Sequence, residues 1–147
     1  MTWQDLLNAQ RVRVHRTGPQ EIHDLRGVVE RDIRDAKLDA LSEDRRFATA
    51  YNAVLQLTKI AIACQRYRVV GLGHHRTTFQ ALEIAMGPSV VSLSSYFELC
   101  RRQRNQVDYD MANVATEAEA RLLVEKAEEF QQLVENWIRK NHPAYAV

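Results

Sequence analysis

Apolar side chains recur along this chain at intervals of three and four residues, the spacing that gathers them on one face of a helix. Ile22, Leu25, Val29, Ile33, Ala36 and Ala40 form one such stripe, predicting a helix that starts near Pro19. The next segment carries two stripes. Phe47, Tyr51, Leu55, Thr58 and Ile62 run along one, and Ala50, Val54, Leu57, Ala61 and Cys64 along the other. A helix that is apolar on two sides belongs at the centre of a bundle, and Ser42 is placed to cap its start. Phe79, Leu82 and Met86 predict a shorter helix starting at Thr77, ended by Gly87-Pro88. Leu93, Phe97 and Cys100 then mark the inward side of a helix starting near Ser89. The last helix opens on a capping box, Thr116 with Glu119, and carries Leu123, Ala127, Phe130, Val134 and Trp137.

A short first helix after Thr2 completes the set, with "RVRVHRTG" and "RVVGLGHHR" read as loops. No stretch of useful length alternates apolar with polar residues, and no internal repeat is present. The pattern predicts an all-α fold, an antiparallel bundle of four main helices with short additional ones, as a single domain over residues 1–147. A chain of 147 residues suits one core.

Composition changes this picture little. With 46% hydrophobic and 27% charged residues the chain has material for a core, and its net charge of +1 means that any contact with nucleic acid must come from a local basic patch. The two cysteines, Cys64 and Cys100, sit in helical patterns and read as buried free thiols in a reducing cytoplasm. The opening "MTWQDLLNAQ" is not a secretory signal, and no run approaches the roughly 18 apolar residues of a membrane span. Cytoplasmic localisation without membrane association is the expectation.

The chemistry concentrates in "RRQRNQVDYD", residues 101–110. If the helix continues through it, Arg101, Arg104, Asn105 and Asp108 share one face, and Arg102, Asn105, Gln106 and Tyr109 lie along the next. Arg104 and Asp108 stand at i,i+4 with the cation first, the less favourable order, and acids near a helix C-terminus oppose its dipole. Helix stability alone would not select this arrangement. Two readings are open: a solvated face whose Asp108 and Tyr109 hold the following turn, or a phosphate site built on the planar, permanently charged arginine fork.

The run RxxRNxxDY near the end of the penultimate helix, followed by one long closing helix, resembles the HEPN superfamily, the higher eukaryotes and prokaryotes nucleotide-binding helical domains. The resemblance covers roughly residues 20 to 140 in helix order. In the ribonucleases of that family an arginine, often followed by asparagine, precedes a histidine by four to six residues. Arg104 and Asn105 match the first two positions, whereas Asp108, Tyr109 and Asp110 occupy the place of the histidine. A histidine, ordinarily near pKa ~6.5, exchanges protons at neutral pH and a tyrosine, near ~10, does not, so binding survives the change better than catalysis. The resemblance implies a homodimer through the motif-bearing helices, RNA or nucleotide in the cleft between them, and a place in a toxin and antitoxin pair. The implied partner protein is a cognate antitoxin or a nucleotidyltransferase. It implies no cofactor.

"GLGHHRTT", residues 71–78, sets His74, His75 and Arg76 just before a helix start, where exposed N–H groups favour an anion. Its glycines match neither a phosphate loop nor a dinucleotide fingerprint, and they also suit a plain tight turn. In a sharper reading His74 or His75 folds toward Arg104 and supplies the proton shuttle of an active, metal-independent RNase. No histidine or cysteine pair stands at metal-ligand spacing. "RVRVHR", residues 11–16, lacks the aromatic groups of an RNA platform and reads as a solvated loop. Trp3, Trp137 and Tyr145 read as anchors, and the small residues of "SLSSY" suit either bundle packing or a dimer seam. In a third reading the motif helix is a non-catalytic dimerisation and partner-interaction module whose arginines close salt bridges.

Overall fold

The helix starts are fixed by side chains that satisfy the orphan N–H groups of a first turn. In the computed structural model, which describes residues 1–71, 74–108 and 112–147 except for the side chains of His74 and Asp108, α1 (Trp3–Asn8) begins with Thr2 and Asp5 capping each other's backbone. Pro19 occupies the first turn of α2 (Pro19–Ala36), and the Ser42 hydroxyl accepts from the Arg45 N–H at the head of α3 (Glu43–Cys64). Then follow α4 (His74–Met86), a turn of 3-10 helix over Gly87–Val90, and α5 (Val91–Asp108). The closing α6 (Glu117–Asn141) opens on the reciprocal Thr116–Glu119 box.

Because α3 is apolar on two sides it is packed on by α2, α4, α5 and α6, and both of its stripes are buried. Phe47, Tyr51, Phe97 and Phe130 are the largest buried side chains around it, with the Phe97 and Phe130 rings 5.1 Å apart. Polar ties set the helices' relative rotation. Arg26 of α2 donates from Nε and Nη2 to the two carboxylate oxygens of Glu135 on α6, at 2.9 and 3.1 Å, and from Nη2 to the Tyr145 carbonyl at 2.6 Å. Asp32, buried, accepts from Asn52 of α3 at 2.5 Å and from Arg31 at 3.0 Å. The all-α bundle is therefore the architecture.

Several local expectations are corrected. The first stretch read as a loop contains β1 (Val12–Val14), and the second overlaps β2 (Tyr67–Val69), which starts one residue before it. The two strands form an antiparallel pair with Arg13 opposite Arg68. Three residues are too few for alternation to show in a sequence; the pairing arises because the chain leaves α1 and α3 at one end of the bundle. Gln10 and Arg66, at φ 57 and 66, make the left-handed turns into the two strands. Trp3 then stacks on Tyr67 at 4.2 Å. Ala40 lies beyond the end of α2 and is exposed, since the helix stops at Ala36. The fourth helix starts at His74 rather than Thr77, and the fifth at Val91 rather than Ser89, because Gly87 and Pro88 first take a 3-10 turn. Trp137 is half-buried beside His142, and Ile138 takes the fully buried position.

Candidate functional site

Leu93, Phe97 and Cys100 enter the core and so fix the rotation of α5 about its axis. Helical geometry then divides the arginines that follow. Arg102 and Gln106 face outward and are exposed, while Arg101, Arg104 and Asn105 are half-buried, the first two close to Tyr51 of α3.

Each arginine has a different environment. Arg101 donates from Nε to both oxygens of Glu98 at 3.1 Å and from Nη2 at 2.7 Å, and its side chain is 18% exposed. Those hydrogen bonds hold its proton more firmly than usual. The Arg104 guanidinium carbon lies 5.8 Å from the centre of the Tyr51 ring, a cation–π arrangement. Tyr51 is 1% exposed and, among the described residues, its hydroxyl has no hydrogen-bond partner. Burial pushes its phenol pKa well above the ordinary value, against the opposing charges of Arg101 and Arg104. Arg102 opens onto a groove of about 330 Å³ between α4 and α5, lined also by Arg76, Gln80, Glu83, Ser95 and Glu98. The Ser94 hydroxyl, donating to the Phe79 carbonyl at 3.2 Å, joins the two helices beneath it.

The structure thus brings Arg101, Arg102, Arg104 and Asn105 onto one stretch of α5 and joins Arg76 of α4 to Arg102. His75 is half-buried in the first turn of α4, one residue from Arg76. Asp108 ends α5 with its side chain outside the described residues; the side chain of His74 and the whole of Tyr109 also lie outside them. Two contributors were missed by sequence reasoning. Glu98 was legible as an acid three residues before Arg101 and four before Arg102, and Tyr51 was hidden because it fits an apolar stripe.

Chemically this surface offers permanent positive charge, directed donors and two carboxylates: Glu98, already engaged by Arg101, and Glu83 on the opposite wall of the groove. Arginine does not give up its proton, so these groups bind and stabilise anionic charge without relaying protons. The nearby Cys100 thiol is buried and pushed up to about 11, so it is protonated at neutral pH and inert as a nucleophile. Among the described residues no group of three His, Cys, Asp or Glu side chains could hold a metal, and no helix is long and apolar enough to cross a membrane. No family model, curated protein or solved structure matches the chain at a significant level.

Proposed function

We propose that this chain is a HEPN-like helical protein that binds RNA or a nucleotide at the C-terminal half of α5, in a cleft shared with a second copy of itself. One observation carries the reading: Arg76 and Arg102, from different helices, line the same groove. Two guanidinium forks across one groove suit successive phosphates; Asn105 lies next to Arg102 around the helix, and Arg101 and Arg104 add positive charge from the other faces of α5. Asp108 and Tyr109 complete the set from the sequence. The outward side of α5 supports the pairing, since Ser95, Leu99 and Arg102 follow at i, i+4 and i+7, with Leu99 63% exposed.

Binding rather than cleavage is the favoured activity, with the ribonuclease motif degenerate and the protein acting in the cytoplasm as one member of a toxin and antitoxin pair. Its protein partner in that role is a cognate antitoxin or a nucleotidyltransferase. Exposed Leu99 also favours a second reading, a non-catalytic dimerisation and partner module. A third, the active RNase, draws on His75 standing in the same turn as Arg76.

The test is binding of a labelled single-stranded RNA to the wild type and to Arg102→Ala, with the RNA inspected for cleavage and the mass in solution measured alongside. Arg104→Ala is a poorer probe because Arg104 packs over Tyr51. A dimer whose RNA affinity drops in Arg102→Ala supports the proposal. A dimer without RNA affinity favours the interaction module, and cleavage abolished by His75→Ala favours the RNase.

A further inference from the structure

β2 and the residues after it, α2, α3, His15 and Thr78 of α4 line a second cleft, of about 610 Å³, within the size range of small-molecule sites. Leu25, Ile62, Ala63, Val69 and Val70 give it an apolar wall. Tyr67 adds a ring that is held in place by Trp3, stacked on it at 4.2 Å and 13°.

The charges around this wall are unevenly engaged. Glu21 is the one carboxylate among the described lining residues, and its two oxygens lie 2.9 and 2.8 Å from His15 Nε2. Lys59 and Arg68 also line the cleft and are exposed, and among the described residues neither takes part in an ion pair. The acid is occupied and the two cations are available.

We propose that this cleft binds a small organic anion, its flat apolar body against Tyr67 and Val70 and its carboxylate, sulfonate or phosphate group between Lys59 and Arg68. The site is separate from the α4–α5 groove. Thr78 lines this cleft, and at 100° per residue it lies across α4 from Arg76, Gln80 and Glu83, which line the other. The inference therefore stands or falls independently of RNA binding.

The experiment titrates the full chain with 8-anilinonaphthalene-1-sulfonate and, separately, with N-phenyl-1-naphthylamine, which keeps the rings and lacks the sulfonate. The expected result is saturable binding of one sulfonate dye per chain. Lys59→Met with Arg68→Met should weaken that dye about tenfold and leave the uncharged one unchanged. Val70→Trp, which fills the cleft from its rim, should weaken both. Near-ultraviolet circular dichroism of each variant establishes that it is folded, and the two charge changes fall at exposed positions where folding is not at stake. Absence of saturable binding, or binding of the sulfonate dye that neither the charge variant nor Val70→Trp alters, would overturn the proposal.

Discussion

Arg26, midway along α2, and Arg102, near the end of α5, differ in what surrounds their guanidinium groups. Arg26 is 13% exposed, its donors taken up by both oxygens of Glu135 and by the Tyr145 carbonyl. Arg102 is exposed on the rim of a groove and, among the described residues, takes part in no ion pair. The first arginine joins α2, α6 and the C-terminal segment, so removing it strands a mostly buried carboxylate. The second is exposed and in no described ion pair, so the fold should depend on it little and its donors face solvent. Arginine count alone says nothing of this; the difference lies in whether the donors have been used by the protein itself.

The sharpest way to break the comparison is Arg26→Ala, which should lower the unfolding free energy by about 3 kcal/mol, read from urea denaturation. A loss no larger than that of an exposed substitution would mean that Arg26 and Arg102 are alike. Cys64 lies in the field of the Arg26–Glu135 pair, and burial pushes its thiol from 9.0 up to about 12. Folding holds that thiol neutral, so its stabilising effect is whole below pH 9.0 and is lost as pH rises toward 12. The decline should approach about 1.4 kcal/mol per pH unit for this thiol. Repeating the denaturation with Cys64→Ala should remove that part of the alkaline loss.

Beside the α5 surface, Tyr51→Phe deletes a buried hydroxyl that has no described partner, and should leave stability equal or raise it by about 1 kcal/mol. A clear destabilisation would show that the hydroxyl has a structural role. Arg102→Ala should change stability by less than about 0.5 kcal/mol, the expectation for a surface substitution. Its effect should appear only when an anion is present.

What the sequence revealed, and what it hid, follows the same division between local and long-range causes. The caps at Thr2, Ser42 and Thr116 were legible because each depends on residues three positions apart. The central place of α3 was legible from its paired stripes. The strands were not, since three residues each leave no period and their pairing joins positions far apart in the chain. The start of α4 was obscured by a glycine-rich approach that reads as loop up to His75 and Arg76. Within the site, the clustering of Arg101, Arg104 and Asn105 came directly from helical spacing. The joining of Arg76 to Arg102, and the ring of Tyr51 beneath Arg104, depend on how helices pack and carry no sequence signal.

The central claim, that the groove between α4 and α5 is a phosphate site, is tested most directly by the salt dependence of single-stranded RNA binding in wild type and in the double variant Arg76→Ala with Arg102→Ala. If both arginines neutralise phosphates, the double variant should bind more weakly and its log–log slope against salt should flatten by about 1.4. An unchanged affinity and slope, with the variant folded, would contradict the claim.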